Sequence, residues 1–471
     1  MFRYKIGKFI LLTGGCLFFV QYSILFYYRQ RGDVFIRNNS CYQVSTPNIP
    51  KVRMLSGFSR LRKTMQEPCK QNMLWSQRKQ NNSFLRTDFD STQFILTSDA
   101  SGSSVAINII TYANGEKKNY GGDFWWMEIR GTSSIYSDIL DNMDGTYEAQ
   151  FRLPEAGKYE IKLTLEFSQC DGLRDPPVWW FINGTEHGKY QTAILDKSSD
   201  YIDKSKKLYV ENKSRKAVKL SSDKNKYDLS CKYINHPHGY WKTIGSEKKY
   251  TTYTELKHKK EASFPKKNNT FWVYGDSVGM QFYSYLLKNH TICSQFRHCR
   301  ADKGWIYPFL PGISIKKYDQ KDFNETITLN KIESILTDKL MVNSKSIFLI
   351  NFGLHMMMDL SFMKASQLFL NFIKLLKTLR KKQEIAKIIW KTTTPVLSKK
   401  GMNSERFLTR QRIILWNAFT KEVICREGIP ILDVYEMAAS YPEGSTDGVH
   451  FADKVFESAA VALITHIQYA I

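Results

Sequence analysis

The sequence predicts a multidomain chain: an N-terminal signal-anchor helix, a β-sandwich, and a C-terminal α/β/α domain built on a parallel sheet. Three observations predict it. An uncharged run opens the chain, alternating strand patterns with tight turns begin near residue 91, and strands alternate with amphipathic helices from residue 270. The expected division is an anchor over 1–30, a stem over 31–90, a sandwich over 91–168, a Trp- and Lys-rich connection over 169–269 and the α/β/α domain over 270–471.

Arg3, Lys5 and Lys8 precede an uncharged run of 20 residues from Phe9 to Tyr28, and Arg29 and Arg31 close it. As a helix the run spans about 30 Å, the thickness of a bilayer core. It ends in Leu25-Phe26-Tyr27-Tyr28, without the small residues of a cleavage site. The expectation is an uncleaved anchor that holds the chain to a membrane as a single-pass type II protein, its bulk in the secretory lumen. Cleavage, giving a secreted protein, is the alternative.

Composition narrows the classes further. With 471 residues, 42 % hydrophobic and 24 % charged, the chain is globular, and collagen-like, coiled-coil and mucin-like readings have no support. The formal charge is +23, and from Lys204 to Lys267 there are 18 Lys/Arg against 6 Asp/Glu. Such a stretch is a solvated insertion or a surface for an acidic partner. A lumenal chain does not meet nucleic acid, which leaves anionic membranes and acidic glycans. Sequons at Asn38, Asn81, Asn183, Asn212, Asn268, Asn289 and Asn324 agree with the lumen. Cys16 lies in the apolar run, leaving Cys41, Cys69, Cys170, Cys231, Cys293, Cys299 and Cys425 for disulfides, with at least one thiol over. No metal site is expected; His236 and His238 lack further ligands in sequence.

The stem is polar and reads as a spacer. In 91–168, Phe94–Leu96, Val105–Ile110 and Tyr159–Leu165 carry strand patterns. Asp144-Gly145 turns into the alternating strand Thr146–Phe151, and Pro154–Lys158 turns into the next. This DGTY/AGxY pair resembles the end of filamin-type immunoglobulin-like repeats, in which the two strands are neighbours. The resemblance implies scaffolding or recognition. Residues 169–269 have no clear period, and a lectin-like face and an irregular linker both remain open.

From Thr270 the strands are Phe271–Tyr274, Ser346–Ile350, Ile385–Trp390 and Ile429–Leu432. Between them, residues 365–380 place Leu368, Phe369, Phe372, Leu375, Leu376 and Leu379 on one helical face; 404–426 and 451–467 behave similarly. In a parallel sheet of this kind the site lies at the carboxyl ends of the strands. Three segments fall there. Gly275-Asp276-Ser277 puts a serine at a helix start, where backbone N–H groups can stabilise an oxyanion. Asp447-Gly448-Val449-His450 supplies a base and a carboxylate to orient it. Asn351-Phe352-Gly353-Leu354-His355 offers oxyanion donors in the Asn351 side chain and the Gly353 N–H, with His355 as a pocket residue or a packed one.

As an ordered set these motifs resemble the GDSL/SGNH hydrolase superfamily, and more closely its PC-esterase branch, which includes plant polysaccharide O-acetyltransferases and a Golgi sialic-acid O-acetyltransferase. With the anchor and the sandwich ahead, residues 90–471 resemble the neurexophilin and PC-esterase domain family. The resemblance implies Ser277 as nucleophile, His450 as general acid/base, Asp447 as its orienter, acetyl-CoA as acyl donor with no tightly bound cofactor, an acidic glycan or sialoglycoprotein as acceptor, and the Golgi lumen as location. The pattern departs at Met280, where related acetyltransferases often carry Arg; the polar Gln281 follows. An O-acetyl esterase using the same residues is the second reading. An inactive neurexophilin-like module that binds a receptor through the sandwich is the third.

Overall fold

The structure, a computed structural model, describes residues 56–70, 73–74, 85–177, 201–214, 231–253, 269–289, 291–303, 325–397 and 406–470. The run from Phe9 to Tyr28, Cys16, Cys41 and the sequons at Asn38, Asn81, Asn183, Asn268 and Asn324 lie outside them. Among the described residues no helix is long and apolar enough to cross a membrane.

The alternating segments of the first half fold into two antiparallel sheets. One contains β1 (Asp88–Ser98), β2 (Ser104–Ala113), β3 (Glu116–Lys117), β6 (Leu140–Asp141) and β7 (Thr146–Arg152). Its order is β1-β2-β7-β6, with β3 on β2. The other contains β4 (Phe124–Gly131), β5 (Ser133–Ile135), β8 (Gly157–Phe167), β9 (Lys204–Asn212), β10 (Gly239–Ile244) and β11 (Glu247–Thr252) in the order β11-β10-β5-β4-β8-β9. Strand alternation sends every second side chain inward. Ile107 and Ile109 of β2 and Tyr147 and Phe151 of β7 thereby share one core with Met127 and Ile129 of β4 and Ile161 and Leu163 of β8. Burying each such side chain contributes roughly 1.5–3 kcal/mol.

Three expectations change here. The DGTY and AGxY strands, β7 and β8, are consecutive but belong to opposite sheets, so they face each other across the core rather than pair. The connecting region supplies β9, β10 and β11. The stem supplies α1 (Ser56–Gln66), whose Leu61 and Met65 join the core and whose end is tied by Cys69–Cys170 to the residues after β8. Asn212 ends β9 with 2 % exposure, and its Nδ2 donates to the carbonyls of Leu153 (3.0 Å) and Glu155 (2.9 Å). That nitrogen is engaged within the folded chain.

The second half is a five-stranded, all-parallel sheet: β12 (Thr270–Gly275), β13 (His298–Lys303), β14 (Ile347–Ile350), β15 (Lys387–Lys391) and β16 (Ile431–Leu432), ordered β13-β12-β14-β15-β16. β12 and β14 are buried along their whole length, as strands covered on both faces must be. The covering helices include α2 (Ser277–Asn289), α3 (Glu325–Leu336), α4 (Leu354–Asp359), α5 (Phe362–Lys382), α6 (Arg410–Arg426), α7 (Tyr435–Ala439) and α8 (Glu457–Ala470). α5 buries Leu368, Phe369, Phe372, Leu376 and Leu379, begins on a Ser361 cap and ends in Arg380-Lys381-Lys382, favourable at both ends. The predicted last helix starts later, after a 3-10 turn over Asp453–Phe456. Strand order reverses its growth at β12, so a crevice is expected outside the carboxyl ends of β12 and β14.

The two halves meet on the outer face of the six-stranded sheet. The contacts are directional: Ser134 Oγ donates to the Ser440 carbonyl (2.8 Å), Trp241 Nε1 to the Met437 carbonyl (2.8 Å), and Arg410 pairs with Glu166 while lying 4.4 Å over Trp126. Arg412, buried, donates to Asp175 at 2.6 Å. Cys231–Cys425 closes the same joint, and the segment beside Cys231 bonds to the edge of β16 through Ile234 N–H and the Ile431 carbonyl (2.8 Å).

Candidate active site

β12 runs out through Gly275 and Asp276 into Ser277, the first residue of α2. Asp276 is buried and holds the turn from beneath. Its Oδ1 accepts the Gly279 N–H (2.9 Å), its carbonyl accepts the Met280 N–H (2.9 Å), and its Oδ2 accepts Asn351 Nδ2 (3.3 Å). Asn351 follows β14, the strand next to β12. Its side chain sits so close to the turn that a Cβ on Gly275 would stand 2.2 Å, and one on Gly279 2.4 Å, from Asn351 Oδ1. Both glycines are therefore required by close approach.

The loop between α7 and α8 brings Asp447 and His450 to this serine. Asp447 Oδ1 accepts the backbone N–H groups of Val449 (2.9 Å) and His450 (2.8 Å), and Oδ2 takes His450 Nδ1 at 2.7 Å. His450 Nε2 lies 2.8 Å from Ser277 Oγ. A carboxylate on Nδ1 fixes the proton there and leaves Nε2 to accept the serine proton. Partial burial pushes the Asp447 carboxyl up, but the amides of His450 and Val449 and the His450 ring outweigh it and hold the group at about 2. The site is open: the Asp447 side chain is 55 % exposed and that of His450 35 %.

Gln281, named in the sequence without a role, locks this loop in place. Gln281, one turn along α2, donates through Nε2 to the Phe451 carbonyl, and its Oε1 accepts the Phe451 N–H (3.4 Å). The backbone next to His450 is thereby clamped to the helix that carries Ser277. The spacing Ser277…Gln281 is one helical turn, which puts both on one face of α2. The structure also buries Lys391 at the end of β15; burial pushes its ammonium down to about 8, opposed by the charge of Asp276.

The Asn351–His355 segment serves the scaffold more than the surface. One Asn351 N–H is spent on Asp276. Gly353 is buried where a Cβ would stand 2.2 Å from Thr393 Oγ1 and 2.5 Å from Trp416 Nε1. His355 is half-buried on α4. Met280, half-buried, packs against the main core. Cys293 and Cys299 pair with each other. Among the described residues no group of three or more His, Cys, Asp or Glu side chains is placed to hold a metal ion. His238 Nδ1 instead meets Glu436 Oε2 at 2.5 Å.

No family model matches the chain. Solved structures similar to parts of it include a GDSL-like lipase from Bacteroides thetaiotaomicron, 14 % identical over 45 % of this chain and 93 % of that one, with a TM-score of 0.32. A carbohydrate acetylesterase family member from Sinorhizobium meliloti is 13 % identical over 43 % of this chain and 100 % of its own, with a TM-score of 0.31. An aryl esterase from M. smegmatis is 11 % identical over 43 % and 100 %, with a TM-score of 0.29. At these identities and scores the likenesses carry no weight for the chemistry, which rests on the hydrogen-bonded line from Asp447 through His450 to Ser277.

Proposed function

We propose that this protein is a lumenal glycan O-acetyltransferase of the PC-esterase type within the GDSL/SGNH superfamily. The observation that carries the reading is the Asp447–His450–Ser277 line, set at a helix start outside the carboxyl end of β12. Ser277 Oγ attacks the acetyl carbonyl of a thioester donor, acetyl-CoA by resemblance, as His450 Nε2 takes its proton. The imidazolium returns that proton to the departing thiolate, leaving acetyl-Ser277. A sugar hydroxyl then gives its proton to His450, attacks the same carbonyl and leaves acetylated, and Ser277 regains its proton.

The first-turn amides of Gly279 and Met280 are bound to Asp276, so those of Ser277 and Val278 stand as oxyanion donors, with the second Asn351 N–H and the Gly353 N–H as further ones. His355 is assigned to the pocket rim. The formal charge of +23 favours an acidic acceptor such as sialic acid. Three disulfides among the described residues favour an oxidising compartment, the Golgi lumen in this reading, with the chain anchored by its N-terminal run.

One observation favours the esterase reading. An open His450 and Asp447 admit water, which competes with the sugar hydroxyl. The test is to express wild type and Ser277→Ala in the same cells and quantify O-acetyl groups on released glycans by mass spectrometry, sialic acids apart. A Ser277-dependent gain is expected. A Ser277-dependent loss selects the esterase. No difference between two folded, correctly delivered proteins selects the receptor-binding module.

A further inference from the structure

The joint between the two halves is closed by direct bonds at most points, but beside the catalytic loop it is hollow. A cavity of about 210 Å³ lies between the outer face of the six-stranded sheet and the chain around Leu397 and 439–445. Glu128, Arg130 and Ser134 line it from the sheet; Arg410, Tyr441 and Ser445 line it from the other side. The wall is polar, and its groups are already bonded to one another or to neighbours (Arg130 to Glu128, Arg410 to Glu166, Ser134 to the Ser440 carbonyl, Tyr441 to Glu443), so it suits a hydroxyl-rich ligand that shares their spare donors and acceptors better than an apolar one. Arg130 and Glu128 are adjacent on the wall, with the ion pair at 3.0 Å, and together they match a pair of neighbouring hydroxyl groups.

The cavity is coupled to the chemistry through Gly448, which stands between Asp447 and His450. Ser445 Oγ accepts the Gly448 N–H (2.8 Å), and the Leu397 N–H donates to the Gly448 carbonyl (2.7 Å). Ser445 is two residues from Asp447, which places this edge of the cavity within about 7 Å of Asp447 along the chain. Away from the site, the same sheet face continues into open surface. Glu128 is paired in register with Lys162 and that residue with Lys207, while Arg130 is paired with Glu160 and that residue with Tyr209. Lys207 and Tyr209 both bond Glu160, which confirms the shared face.

We propose that this cavity is a subsite for a sugar of the acceptor glycan next to the one that is acetylated. The proposal rests on the transferase reading for its substrate, not for the cavity. In it, the sandwich reads the glycan's inner sugars, and the α/β half acts on the terminal one.

The test uses the full chain carrying Ser277→Ala, which cannot turn over, and compares binding of sialyllactose with that of free sialic acid. The subsite predicts that sialyllactose binds about 10-fold tighter, and that Arg130→Gln or Glu128→Gln removes this difference while leaving free sialic acid unaffected. Both side chains are on the sheet surface, and an unchanged melting temperature verifies folding. Equal binding of the two probes, a preference that survives both substitutions, or binding of neither probe overturns the proposal. If wild type proves inert on every acceptor while an Arg130-dependent preference persists, the transferase reading fails and the subsite stands.

Discussion

The two faces of the six-stranded sheet both bury apolar side chains but differ in what is added to that packing. Its inner face is apolar and meets the facing sheet through Met127, Ile129, Ile161 and Leu163. Its outer face joins the α/β half in one apolar cluster through Phe124, Trp126, Phe167 and Trp241, and adds bonds from hydroxyls, indoles, guanidiniums and carboxylates, with a disulfide across the joint. Apolar packing is tolerant in direction and stabilises by area. Hydrogen-bonded contacts fix an orientation, and they are costly to break one-sidedly. Both faces therefore stabilise, and the outer face also fixes how the sandwich stands relative to Ser277.

Substitutions on the two sides separate positioning from stability. The largest effect is expected at the site. Ser277→Ala should lower turnover by at least about 10³-fold with an unchanged melting temperature, measured as acetyl transfer per folded molecule. Asp447→Asn should cost about 10²–10⁴-fold, because the amide can no longer hold the His450 proton on Nδ1. Gln281→Leu keeps the side chain's size and removes both bonds to Phe451. It should lower kcat by about 10–100-fold with little change in KM, the pattern of a positioning residue.

On the inner face the pattern inverts. Ile161→Ala should destabilise by about 2–5 kcal/mol in chemical unfolding while leaving the rate per folded molecule intact. A rate loss there at full stability would contradict the division of labour.

The smallest effect is at Lys391. Below pH about 8 both folded and unfolded chains hold its proton, and the cost of a buried charge is fully present. Above that, the folded chain releases the proton while the unfolded chain keeps it up to the ordinary lysine range, so stability recovers as pH rises. Lys391→Met should abolish this recovery, leaving the unfolding free energy flatter than wild type's above pH 8 in chemical unfolding followed against pH.

What was legible in the sequence follows the strength of local pattern. β2, β7 and β8 alternate cleanly, and α5 shows its buried face at helical spacing, so both were readable. β9 was not, because Lys204–Asn212 is an edge strand with most of its side chains in solvent. β10 and β11 carried a signal that went unread: two six-residue strands around Gly245-Ser246, a two-residue hairpin turn. α1 likewise shows Phe58, Leu61 and Met65 at helical spacing inside a polar stretch.

At the site, Ser277, Asp447 and His450 were named from motif context, and the structure brings them together. The buried support of Asp276 and Asn351 and the Gln281 clamp depend on side-chain partners far apart in sequence, which no local period encodes.

The most direct test is to trap the intermediate. The full chain is incubated with acetyl-CoA in the absence of acceptor, quenched in acid, digested and mapped by mass spectrometry. A single acetyl group is expected on the peptide containing Ser277, absent from Ser277→Ala and discharged when a sialylated acceptor is added. Acetylation confined to other residues, or acetyl transfer to glycans that proceeds in Ser277→Ala, would contradict this expectation.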